Sequence, residues 1–193
     1  RRDAGARAGV APRHRAAGLR DQLEQIITDA VAEEIRAEET ALKKFGLVPP
    51  DFDLAASTLD VLTEQAAAFY DFKKKKLFIS DWTSSSTRQA VLVHELAHAL
   101  ADQNFNLDRF IKQARQSDDG AVARMAVMEG QATWLMSEYL VRQSGQSLKD
   151  SPGLARMMAQ SSETAAGQFP VFDKSPLYIR QSLVFPYTKG MLF

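Results

Sequence analysis

The amino-acid sequence predicts a helix-dominated α+β domain, and three patterns carry that prediction. Most of the chain has apolar residues at the three- and four-residue spacing of amphipathic helices. Residues 66–80 differ, because two apolar runs flank a polar turn there, which is typical of a β-hairpin. Clusters of glycine, proline and serine separate these segments. A small sheet early in the chain, followed by several helices, is an α+β arrangement.

The composition limits the classes of function that the chain can serve. Its 193 residues suffice for one domain with an extension. The formal net charge is zero, which gives no electrostatic ground for binding nucleic acid, and no apolar run is long enough to span a membrane. Cysteine is absent, which excludes disulfides and thiolate chemistry. A metal site would therefore need histidine, aspartate or glutamate ligands.

The first fifty residues divide into an arm and a helix. Residues 1–18 are rich in arginine, alanine and glycine, which predicts a flexible basic arm. Helical spacing from Leu19 to Phe45 predicts an amphipathic helix, which Gly46 and the prolines after it should end. We assign residues 19–50 to this helical unit and residues 51–193 to the main domain. The missing initial methionine and the apolar final residues lead us to expect a removed leader and a longer native C-terminus.

The main domain should contain one hairpin and several helices. Short extended pieces are expected around Thr58–Leu62, and strands Ala66–Tyr70 and Lys76–Ser80 should flank a turn whose lysines are solvated. Ser84–Thr87 supplies candidate N-caps for a helix over about Arg88–Asn104. Further helices are predicted over about Leu107–Gln116, Ala121–Ser144, Pro152–Ala166 and Pro176–Val184.

The stretch VLVHELAHALADQ, residues 91–103, carries the chemistry. His94 and His98 are four residues apart, so on a helix both imidazoles can reach one metal ion. Glu95 follows the first histidine and is placed to act as a general base. The alternative is a core helix with two hydrogen-bonded histidines. Histidine is scarce, and two of its three copies fall in this pattern, which favours the metal site.

A catalytic zinc site needs a third protein ligand. Ala101 and Asn104 exclude the metzincin pattern, and His14 lies in the basic arm, so a carboxylate must serve. Glu129 is the leading candidate because it lies in an apolar helical segment, where an unpaired charge would be costly. Three weaker alternatives are Glu138, Glu163 and Asp108.

These motifs resemble the gluzincin branch of zinc metallopeptidases, in which a glutamate on a second helix follows His-Glu-x-x-His. HELAHALADQ at residues 94–103 and EGQAT at residues 129–133 are similar to bacterial metallopeptidases that carry HELxHALxDQ and EGxA motifs. The hairpin and the FPYTKG stretch at residues 185–190 also look like that group. The resemblance covers about residues 66–193. Together with the missing initial methionine, it favours an exported or periplasmic protein over a cytoplasmic one.

The resemblance implies a zincin-like fold, with a short twisted sheet above the active-site helix and a glutamate helix below. It implies one Zn²⁺ ion held by His94, His98 and Glu129, with Glu95 as base and an extended peptide substrate pairing with Leu77–Asp81. The predicted function is hydrolysis of peptide bonds, and the alternative is a non-catalytic peptide-binding module with a structural metal.

Two roles near the site stay open at the level of sequence. Many gluzincins stabilise the oxyanion with a downstream histidine or tyrosine, and no histidine follows His98. Tyr187 is the first candidate for that role, ahead of the alternatives Tyr139, Tyr178 and Arg180. Asp102 lies one turn after His98 and is equally compatible with accepting a hydrogen bond from that ring and with capping the C-terminus of the helix or being a surface charge.

Overall fold

The computed structural model describes residues 29–65, 67–79, 85–114, 117–163 and 169–193, and it confirms the helix-dominated α+β class. The predicted basic arm and residues 19–28 of the predicted first helix lie outside these ranges. The first helices and strands are α1 Asp29–Lys44, α2 Leu54–Gln65, β1 Ala68–Asp71, β2 Lys76–Ile79, α3 Ser85–Phe105 and α4 Leu107–Lys112. Then follow α5 Asp118–Arg142, α6 Pro152–Glu163, α7 Pro170–Lys174, α8 Leu177–Thr188 and a 3₁₀ turn at Gly190–Leu192. No helix in the described ranges is both long and apolar enough to cross a membrane.

The end of α1 follows the prediction. Gly46 adopts a φ of 68°, a left-handed conformation that glycine reaches without steric cost. The N–H of Leu47 donates to the carbonyl of Leu42 at 2.9 Å, and the N–H of Gly46 donates to that of Lys43 at 3.1 Å. These two bonds form a Schellman cap, which satisfies the last carbonyls of the helix.

The extended structure expected around Thr58–Leu62 is wrong, because these residues belong to α2. Asp53 caps this helix, since its Oδ1 accepts the N–H of Ala56 at 2.8 Å. Helical spacing also buries Leu54 and Val61 on the inner face of α2. The cap and this burial outweigh the weak strand preference of the β-branched residues.

The hairpin is confirmed, with β1 and β2 pairing as antiparallel strands. Asp71 sets the turn, because its Oδ1 accepts the N–H groups of Lys73 and Lys74, both at 2.9 Å. Lys75 takes a φ of 54° to close the turn. The prediction that these lysines are solvated is confirmed, because residues 73–76 are all exposed. The ammonium of Lys75 also contacts Asp102 on α3.

The helices after the hairpin differ from prediction mainly at their ends. α4 ends at Lys112, earlier than expected. Asp118, Asp119 and Gly120 lie between two predicted helices but form the first turn of α5, because Ser117 Oγ accepts the N–H of Gly120 at 3.2 Å. Acidic side chains in a first turn also interact favourably with the helix dipole.

The C-terminal region extends the predicted helices. α8 continues past Val184 and through Pro186, which places Tyr187 in its last turn. The short helix α7 was not predicted, and the final 3₁₀ turn buries Met191.

Two apolar clusters hold these elements together. One contains Leu42, Val48, Leu54 and Ile179, which join α1 and α2 to α8. The other contains Val141, Leu148, Ala159 and Met191, which join α5 and α6 to the 3₁₀ turn. α3 packs along α5, and the metal-ligating candidates lie at that contact.

Candidate metal centre

The helix α3 places His94 and His98 on one face, as the four-residue spacing requires. Both histidines are buried, with only 9% and 8% of their surfaces exposed. Their rings meet edge to face with centroids 4.7 Å apart. The two imidazoles are therefore held close together inside the protein.

Glu129 on α5 completes a compact cluster with these histidines. Its Oε2 lies 3.1 Å from Nε2 of His94 and 3.2 Å from Nε2 of His98. The two Nε2 atoms are themselves 3.1 Å apart. Three donor atoms of the kinds that zinc prefers thus occupy the corners of a nearly regular triangle.

The spacing of these donor atoms fits a metal ion. In a tetrahedral zinc site with bonds of about 2.0–2.1 Å, neighbouring ligand atoms lie about 3.3–3.4 Å apart. The observed separations of 3.1–3.2 Å are within a few tenths of an ångström of that value. His94, His98 and Glu129 would therefore hold the ion and leave a fourth position for solvent or substrate.

The electrostatics of the cluster agree with this role. Burial alone would raise the pKa of Glu129, but the hydrogen bonds and charges of His94 and His98 lower it to about 2. Burial would also lower the pKa of His98, yet the Glu129 carboxylate raises it overall. Glu129 is therefore a stable carboxylate that attracts positive charge into the cluster, whether a proton or a metal ion.

Glu95 is buried beside the cluster and outside the triangle of donor atoms. Burial raises its pKa, the charges of His94 and His98 oppose that rise, and Glu129 adds to it. The backbone N–H of Tyr70 on β1 faces the Glu95 carboxylate and acts to lower its pKa. A carboxylate with a raised pKa and a fixed position is suited to accept a proton.

Tyr187 reaches the site from the last turn of α8. Its ring stacks on that of His94, with centroids 6.1 Å apart and planes at 21°. Burial of the hydroxyl raises its pKa, and the carboxylates of Glu129 and Glu95 raise it further. The phenol therefore remains protonated and can donate a hydrogen bond to a substrate oxygen.

The other candidates from the sequence lie elsewhere or outside the described side chains. Glu138 accepts the N–H of Leu148 at 2.7 Å and pairs with Arg142, and Asp108 pairs with Lys112 near the surface. Neither carboxylate joins the donor cluster. His14 and the side chain of Glu163 lie outside the part of the chain that the structure describes.

Among the alternative oxyanion donors, Tyr139 and Tyr178 have partners elsewhere, whereas the buried Nε of Arg180 has no hydrogen-bond partner among the described residues. Tyr139 donates to Gln89 at 3.3 Å, five residues before His94 on α3. Tyr178 packs against the apolar cluster that contains Leu42. Arg180 lies two turns before Tyr187 on α8.

Asp102 does have a partner near the site, but that partner is Tyr70. One oxygen of Asp102 accepts the phenol of Tyr70 at 2.9 Å and the ammonium of Lys75, and the other accepts the N–H of Leu107 at 3.0 Å. Asp102 therefore caps the following helix and anchors the hairpin. Sequence reasoning did not single out Tyr70, and its signal was weak: a tyrosine on the predicted strand nearest the motif.

Two glycines bring Tyr187 up to the cluster. A Cβ on Gly130 would overlap the carbonyl group of Gly190, and a Cβ on Gly190 would overlap the backbone of Ala126. The backbone after Tyr187 thus lies directly against the helix that carries Glu129. Gly130 therefore allows another segment of the chain to pack closely against α5.

We expect Gly130→Ala to destabilise the protein by about 1–3 kcal/mol, the usual cost of overpacking. Urea denaturation of the metal-free protein would measure this change. The matched control is Gly153→Ala, because a Cβ there meets nothing within 4 Å. Equal stability of both variants would show that the Gly130 contact is not tight.

The fold and these side chains define the chain as a zincin-like domain of the metallopeptidase type. A model of the Peptidase_M78 family, described as the IrrE N-terminal-like domain, matches residues 50–146. The chain belongs to this family. The matched region includes β1, β2 and the three candidate ligands, whereas Tyr187 lies beyond it. No curated protein and no solved structure matches the chain.

Proposed function

We propose that this protein is a zinc-dependent peptidase of the gluzincin type, in which Glu95 is the general base. The position of Glu95 carries this proposal. It is a buried carboxylate next to three metal-ligating atoms, yet it is not one of them. A purely structural metal needs no such base beside it.

In the proposed reaction, bound zinc would polarise the peptide carbonyl and make a coordinated water more acidic. Glu95 takes one proton from the attacking water as the new carbon–oxygen bond forms. It then passes that proton to the amide nitrogen as the carbon–nitrogen bond breaks. Tyr187 donates a hydrogen bond to the carbonyl oxygen, where negative charge develops.

We further propose that an extended peptide pairs with β1, whereas the sequence favoured Leu77–Asp81. Support comes from the sheet, because β1 packs on α3 and the N–H of Tyr70 points to Glu95. Residues 80 and 81 lie outside the described ranges.

The test combines metal analysis with a peptide-library cleavage assay. We expect about one zinc per chain and cleavage that a chelator abolishes and added zinc restores. A zinc-loaded protein that cleaves no peptide in a diverse library would contradict the peptidase assignment. Peptide binding without cleavage would instead favour the non-catalytic module.

Tyr187→Phe should keep zinc but lower kcat by about 10²–10³-fold, the usual cost of one lost oxyanion donor. The ring remains stacked on His94, so only the hydroxyl is removed. Steady-state kinetics on a cleaved peptide would measure the effect, with Tyr139→Phe as the matched control. Equal rates in the two variants would remove Tyr187 from the mechanism.

A further inference from the structure

Asp102 is a buried carboxylate outside the metal cluster, with only 4% of its surface exposed. Three donors from separate parts of the chain surround it: the phenol of Tyr70, the ammonium of Lys75 and the N–H of Leu107. Such a fully bonded charge is a rigid anchor, because moving any donor would leave a buried anion with an unmet acceptor.

Tyr70 connects this anchor to the proposed base. Its phenol donates to Asp102 at 2.9 Å, and its backbone N–H faces the Glu95 carboxylate. Glu95 and Asp102 are seven residues apart on α3, so they lie two turns apart on the same face. Tyr70 therefore spans two turns of the active-site helix and contacts a carboxylate at each end.

We propose that Asp102 and Tyr70 are positioning residues, which hold the Glu95 carboxylate in place through the backbone of β1. The inference rests on the proposed role of Glu95 as base. Proton transfer requires the base within hydrogen-bond reach, and errors of an ångström in placement are costly. A short strand can shift relative to the helix that it packs on. The phenol and the amide of Tyr70 both contact α3, and these two contacts fix the position of β1.

Tyr70→Phe is the sharpest variant, because it keeps the ring and the backbone N–H and removes only the bond to Asp102. We expect kcat to fall about tenfold, the scale of one lost hydrogen bond, while KM changes less than about twofold. Asp102→Asn should act in the same direction. Zinc content should equal that of the wild type in both variants, since the three ligands are untouched.

Amide hydrogen exchange tests the same link without relying on hydrolysis. Because the N–H of Tyr70 faces the Glu95 carboxylate, that contact should slow its exchange with water. We expect Tyr70→Phe and Asp102→Asn each to speed exchange at this amide about tenfold in the zinc-loaded protein. Glu95→Ala should do so as well.

Tyr139→Phe is the matched control, because it removes a phenol that bonds to Gln89 and should alter neither readout. Unchanged exchange at the Tyr70 amide in both positioning variants would overturn the proposal, as would a wild-type kcat in both. If Tyr70→Phe fails to fold, Asp102→Asn carries the test. If the wild type cleaves no peptide, the proposed function fails, and the exchange data alone decide whether Glu95 is held by this route.

Discussion

Glu95→Gln should leave a folded, zinc-loaded protein whose peptide hydrolysis is reduced by at least about 10²–10⁴-fold. Glutamine keeps the shape of the side chain and can still accept the N–H of Tyr70 through its carbonyl. It cannot take a proton from water, so the attacking nucleophile is no longer generated. Metal analysis and a peptide cleavage assay on the same preparation would measure the zinc content and the rate of hydrolysis.

The matched control for this change is Asp108→Asn, which converts a carboxylate to an amide at a site paired with Lys112. It should keep both zinc and activity. Loss of zinc from Glu95→Gln would mean that Glu95 is a ligand. Retained hydrolysis would mean that another group is the base.

Glu129→Ala should weaken zinc binding beyond the roughly 10–100-fold that is typical when an outer-shell partner of a ligand is lost. The carboxylate is the sole negative group among the three candidate ligands, so the remaining site would consist of two neutral imidazoles. Competition with a chelating dye would measure the affinity.

Glu138→Ala is the control, since it removes a glutamate from the same helix nine residues later. Its carboxylate holds the N–H of Leu148, so this variant should lose some stability but keep its zinc affinity. Equal zinc affinities in the two variants would contradict the gluzincin ligand set.

The proximity of His94, His98 and Glu129 could be predicted, because it follows from sequence patterns around each residue. His94 and His98 need only one helix to become neighbours, and a helix follows from the apolar spacing around them. Glu129 could be found through its apolar surroundings, since a buried acid requires a partner. Their proximity is a finding, whereas their roles remain to be tested by the variants above.

The parts that sequence reasoning missed depend on contacts between distant residues. The bond between Tyr70 and Asp102 joins residues 32 positions apart, and no spacing rule connects a strand side chain to a particular helix turn. The helix α2 was missed for a related reason. Burial of Val61 against other elements decided its conformation, while its own β-branched side chain pointed weakly to a strand.

The two apolar clusters determine whether residues 50–146, which match the family model, could fold on their own. The matched residues 50–146 contain every candidate metal ligand, yet each cluster is completed from outside them. Leu42, Val48 and Ile179 complete one cluster, and Leu148, Ala159 and Met191 complete the other. A fragment trimmed to the matched region would expose both apolar surfaces and would not be an autonomous folding unit. Transplanting the metal centre into another protein would therefore require its flanking helices as well.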